Sequence, residues 1–213
     1  MTAPPSRWEP DAFTRERGEA FQRRIPFQQG SLVAADGEAT QKPIPAPVQA
    51  FAEWVRTWRG IRSAGTRRSP PKPSTAGRRR DLHEEGRAID AMIEAPDTPA
   101  GNAAGDALAN FLVQNADRLG VQGVIWRRVE WYTSPISTAW EPYVGSSPHT
   151  DHPHIELSPQ VLSWSADEMR RRIADVIANP ARPSATVIPS AAPWILAGSL
   201  LVAGVIVYRA RTR

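Results

Sequence analysis

Cysteine is absent from the 213 residues. That excludes a disulfide framework and thiolate chemistry, and it leaves nitrogen and oxygen as the donors with which this chain can hold a metal. Histidine is scarce: the four residues are His83, His149, His152 and His154. No apolar run follows Met1, so no secretory signal is expected there. Neither sign of charge dominates. Twenty-six basic residues stand against 22 acidic ones, giving a net charge of +4 and a pI near 10.1, which favours anionic surroundings such as cell-wall polymers, lipid headgroups or nucleic acid. Charge alone does not choose among them. The length suits one domain with appendages, and 41% hydrophobic residues suffice for a core. Twenty-one prolines against 14 glycines imply long stretches that are neither helix nor sheet.

What histidine there is lies in two short runs. His83 sits in Asp81-Leu82-His83-Glu84-Glu85-Gly86-Arg87-Ala88-Ile89-Asp90, so a carboxylate follows it seven positions later across a glycine turn. The second run is His149-Thr150-Asp151-His152-Pro153-His154. Both runs read as strands or strand entries. Asp90 interrupts the apolar run Ala88 to Ile93, where an acid is costly unless something pairs with it. A strand's two-residue period puts His152 and His154 on one face, with Ile155 and Leu157 on the other. Any one of these histidines alone reads as a surface or hydrogen-bonded core residue. All four together with Asp90 point to a zinc centre, for which neutral imidazole and carboxylate are the usual ligands and a catalytic site keeps one position open.

This arrangement, a histidine, six residues, an aspartate and a later His-x-His, with Gly86-x-Ala88-x-Asp90 inside the first run, resembles the LAS-type zinc peptidases. That group includes D-alanyl-D-alanine carboxypeptidases and peptidoglycan endopeptidases. The resemblance runs from about Ala46 to Leu157. It implies His83, Asp90 and His154 as zinc ligands, His149 as the cleft histidine of the endopeptidase branch acting as base or transition-state partner, and His152 as an orienting neighbour. An arginine at the end of the preceding strand faces the scissile carbonyl in such enzymes. Arg67 or Arg68 holds the matching place, with Arg68 preferred. The group usually carries a serine two residues before the first histidine, where this chain has Asp81; that departure bears on substrate orientation and not on the ligands.

The pattern predicts an α+β domain, a small antiparallel sheet flanked by helices around a zinc cleft, over residues 46–180. Residues 1–45, rich in proline and charge, read as a partly disordered arm that packs on a particle or assembly partner or stays mobile, with two helical turns possible over Glu16 to Arg24. Phe51, Trp54, Val55 and Trp58 make the stripe of an amphipathic helix opened by Pro47. Further helices are expected over about 102–119 and 165–178, and strands over 61–68, 88–93, 121–126 and 129–133. The loop 134–147 carries Trp140 and Tyr143, which either line a substrate cleft or simply pack. Ser69 to Arg80 reads as a solvated basic loop.

After a linker at 181–190, Ala191 to Tyr208 is 18 residues without a charge. As a helix it would reach roughly 27 Å, close to the thickness of a bilayer's hydrocarbon core. Trp194 and Tyr208 stand at its ends as interfacial anchors, and a basic tail, 209–213, follows. A transmembrane helix is expected, with the catalytic domain facing the cell wall by the positive-inside rule. No signal would carry the domain across, so delivery by a phage-type lysis or injection apparatus is the expectation. The whole reads as a membrane-anchored zinc peptidase acting on peptidoglycan peptides, with no specific nucleic-acid partner. The competing expectation is a non-catalytic wall-binding or assembly protein on the same fold, whose metal would be absent or structural, the latter with four protein ligands.

Overall fold

A computed structural model describes residues 7–33, 42–67, 78–134 and 138–182. Six strands form one antiparallel sheet: β1 (Ile61–Gly65), β2 (Ala88–Ile93), β3 (Val121–Trp126), β4 (Val129–Tyr132), β5 (Trp140–Pro142) and β6 (His154–Leu157). Their order in the sheet is β1-β2-β6-β3-β4-β5, so the last of these six in sequence lies at the centre. β6 pairs with β2 on one side and β3 on the other, placing His154 directly opposite both Asp90 and Ile125. The period of two then divides the sheet. Ile89, Ala91, Ile93, Ile155 and Leu157 are buried in the core, while Asp90, Met92, His154 and Glu156 line a cleft on the other face.

The helices are α1 (Ala12–Phe21), α2 (Ala46–Val55), α3 (Pro99–Gln114), α4 (Ala116–Leu119) and α5 (Ala166–Ala178), with a 3-10 turn at Pro159–Ser163 before the last. On α2, Val48, Phe51, Ala52 and Val55 recur at helical spacing and are buried, and Pro47 occupies the first turn, where its missing N–H costs nothing. The side chain of Thr98 caps α3 by accepting from the Gly101 N–H at 3.1 Å. Leu108 and Leu112 of α3 go into the core. Gly105 lets the Trp126 ring lie against this helix, since a Cβ there would sit 2.3 Å from it. Ser165 caps α5 in the same manner, and Met169, Ile173 and Val176 form its buried face.

Residues 7–33 correct the expectation of an arm. Trp8, Phe21 and Ile25 belong to the main core, and α1 packs on α3. The Trp8 indole donates to Asn110 at 3.0 Å, and Gln114 donates to the Thr14 hydroxyl at 2.8 Å. The prolines in this stretch therefore punctuate a folded segment. Buried Arg87 ties its end to the sheet by donating to the carbonyls of Leu157 at 2.6 Å and Gln28 at 2.9 Å.

Among the described residues no helix is long and apolar enough to cross a membrane. The candidate span 191–208 lies outside the described residues, as do the linker from 183 on, the basic tail and most of the Ser69 to Arg80 loop.

Candidate metal centre

His83 does not enter a strand, as its neighbours suggested. It sits in a tight turn, Leu82 to Gly86. Asp81 and Glu84 cap one another: the Asp81 carboxylate accepts from the Glu84 N–H at 3.0 Å, and the Glu84 carboxylate accepts from the Asp81 N–H at 2.9 Å. Arg78 donates to both Glu84 oxygens at 2.7 Å. Burial disfavours the Glu84 carboxylate, but these bonds outweigh it and hold the group below its ordinary range. Gly86 closes the turn at φ +71°, and a Cβ there would lie 2.7 Å from the Pro43 carbonyl. This local wiring aims the His83 ring across β2.

His83 Nε2 lies 3.1 Å from Asp90 Oδ2, and His154 Nδ1 lies 2.9 Å from Asp90 Oδ1. The donor atoms of His83, Asp90 and His154 all fall within 4.8 Å of one another, a grouping that can hold a metal ion. The outer nitrogens of both rings are also occupied in the way ligating histidines require. His83 Nδ1 is 3.3 Å from the Thr66 carbonyl, and His154 Nε2 is 3.3 Å from Glu156 Oε1. Each acceptor can hold the outer N–H of its ring, so that the inner nitrogen is the one left to a metal once the ring is neutral. The residues present fit a metal of the nitrogen-and-oxygen class.

The other two histidines stand beside this triad. His152 Nε2 lies 3.5 Å from Asp90 Oδ1, while its Nδ1 meets Asp151 at 2.7 Å. The His149 ring packs against Tyr143, His152 and His154 at centroid distances of 4.9, 4.9 and 5.4 Å, and its buried Nδ1 has no hydrogen-bond partner. Its backbone is left-handed, at φ +51°. That strain has a local support: the β3–β4 turn residues Arg127 and Arg128, also at positive φ, donate their N–H groups to the carbonyls of His149 at 2.9 Å and Pro148 at 3.1 Å.

Electrostatics separate the roles. Burial opposes ionisation of Asp90, yet hydrogen bonds from His154 and His83 outweigh it, keeping the carboxyl well below its usual range. Burial likewise opposes charge on His154, but hydrogen bonds to Asp90 and Glu156 raise it to about 9. His149 goes the other way, lowered to about 4 by burial and then by the neighbouring His154 and His152. It is therefore held neutral at pH 7.

The cleft around these groups has a volume of about 770 Å³ and is walled by Ser63, Arg67, Asp81, Tyr143 and Ser147, among others. Arg68, preferred from sequence for the oxyanion, lies outside the described residues. Arg67, its alternative, is exposed at the cleft rim. The two loop aromatics part company: Tyr143 lines the cleft, whereas Trp140 stacks edge-on against Trp8 at 5.3 Å. Glu156 and Tyr132 also line it and were missed from the sequence. The available signal was an acid two residues after His154, hence on the same strand face.

Residues 41–154 match the family described as VldE, C-terminal domain. The chain belongs to that family. The matched stretch runs from before α2 to the first residue of β6 and so contains the whole triad together with His149 and His152. No curated protein and no solved structure matches the chain.

Proposed function

We propose that this member of the VldE C-terminal family is a zinc peptidase that hydrolyses an amide bond in peptidoglycan peptides. The observation that carries the reading is the triad itself: His83, Asp90 and His154 converge in an open cleft, each imidazole with its outer nitrogen already held. Two imidazoles and a carboxylate are a common three-ligand set for catalytic zinc, which leaves a position for substrate or water. Bound there, zinc supplies Lewis acidity toward a carbonyl and toward water.

The remaining groups divide the other tasks. His149, held neutral in the cleft, serves as base or as transition-state partner, and His152, bridging Asp90 and Asp151, steadies the carboxylate. An arginine that follows β1 in the sequence, Arg68 in preference to Arg67, binds the developing oxyanion or a substrate carboxylate through its paired donors. The uncharged segment 191–208 anchors the domain as a transmembrane helix, with the cleft facing the wall after delivery by a phage-type lysis or injection apparatus.

Metal analysis of the purified protein, alongside digestion of isolated peptidoglycan with mass analysis of the products, tests the reading. Stoichiometric zinc and new peptide termini are expected. Full cleavage in excess chelator, or a metal-loaded structure with a fourth protein ligand, would sink it. Protease treatment of intact cells tests the topology: a domain cut only after the membrane is broken faces inward.

A further inference from the structure

Glu156 is a carboxylate lodged behind a metal-ligand candidate, with its side chain only 14% exposed. A buried acid in a strand is expensive unless its oxygens are used. Here both are. Oε1 accepts from His154 Nε2 at 3.3 Å and from the Tyr132 hydroxyl at 3.2 Å, and Oε2 accepts from the Gln122 amide at 3.3 Å. Gln122 is itself pinned, since its own Oε1 accepts from the Gln28 N–H at 3.2 Å and from Arg87 at 3.5 Å.

We propose that Glu156, clamped by Tyr132 and Gln122, is the positioning residue that holds His154 as a metal ligand through Nδ1. The proposal rests on reading the triad as a metal centre. An imidazole that gives its Nδ1 lone pair to a metal carries its proton on Nε2, and that N–H needs an acceptor in a fixed direction. Glu156 supplies one. With the opposite tautomer, the Nε2 lone pair would face a carboxylate and the Nδ1 proton would point at the metal. Glu156 does not belong to the grouping of potential ligands, because it meets the ring on the side away from Asp90.

A glycine makes the clamp possible. Gly123 on β3 is the cross-strand partner of Tyr132 on β4 and of Glu156 on β6. A Cβ at Gly123 would lie 2.2 Å from the Tyr132 ring, so only glycine lets the ring lie across β3 with its hydroxyl on Glu156. Mid-strand glycine costs backbone entropy and contributes no packing, and it marks a close approach of just this kind.

The experiment compares wild type, E156Q and Y132F. Zinc affinity is read by competition with a chromogenic chelator, the state of His154 by 15N imidazole shifts in the zinc-loaded protein, and the fold by melting of the metal-free form. E156Q should weaken zinc roughly 10- to 100-fold, the range for losing an outer partner of a ligand, and should lose the single Nε2-protonated signature of His154. Y132F should weaken zinc by a smaller factor, roughly 2- to 10-fold. If Glu156 merely packs, E156Q lowers the metal-free melting temperature while zinc affinity and 15N shifts stay as in wild type, and the proposal is overturned. Should E156Q fail to fold, Y132F decides, and wild-type affinity there overturns it. A wild-type protein that binds neither zinc nor cobalt overturns the metal reading together with this proposal.

Discussion

His154 sits between two carboxylates, which makes metal uptake a competition with protons. Its ring must be neutral to ligate, yet in the metal-free protein it holds a proton up to about 9. Zinc binding at pH 7 is therefore expected to release a proton, measurable as buffer-dependent heat in calorimetry. The same pair of shifted histidines shapes stability. His154 is raised above the ordinary imidazole value of about 6.5, so it stabilises the metal-free fold fully below that value and loses the contribution as pH rises through about 9. His149 is lowered to about 4, so its contribution is present above the ordinary value and is lost as pH falls through about 4. Urea midpoints in chelator should fall on both sides of a maximum near neutrality, with His154→Gln flattening the alkaline limb and His149→Gln the acid one. Activity separates the two residues differently: His154→Ala should abolish zinc binding, whereas His149→Ala should keep zinc and lose turnover. Equal metal loss in both would place His149 among the ligands.

The elements that position these residues were legible to different degrees. Helices α2, α3 and α5 follow from their stripes and caps, and β2, β3, β4 and β6 from their apolar runs, within a few residues of the ends observed. The short β5 was not legible, because Trp140 to Pro142 has only three residues and no alternation to read. The His83 turn was misread as strand entry, since the reciprocal capping of Asp81 and Glu84 resembles any acidic stretch until its hydrogen bonds are seen. Of the site, the histidines and Asp90 stood out because they are few and closely spaced. Glu156 did not, because its function depends on Gly123 and Tyr132 from two other strands. The largest misreading was the packing of α1: helical turns were expected over Glu16 to Arg24, but the sequence is polar enough for the stretch to pass for an arm. Trp8 settles the matter and gives a test: Trp8→Ala removes a side chain 1% exposed and should cost about 3–5 kcal/mol in denaturant unfolding. Loss below about 1 kcal/mol would mean that the N-terminal stretch is not part of the cooperative core.

At the scale of the whole molecule, one compact unit ends at Arg182. A chain ending at Pro189 should then fold, bind zinc as tightly as the full chain, and sediment as a monodisperse species without detergent. Aggregation of the shortened chain, with the full chain soluble in plain buffer, would make the apolar segment part of the fold instead of an anchor.

The central place of β6 sets an order in time. Until His154 to Leu157 slot between them, β2 and β3 present facing open edges, and Asp90 lacks the imidazole of His154. A nascent chain still short of residue 154 thus has neither a finished sheet nor a finished triad. Closing the sheet and completing the triad are one event, governed by a contact between residues 64 positions apart. A half-made molecule of this kind would be inert toward its substrate and prone to sticking to its own kind.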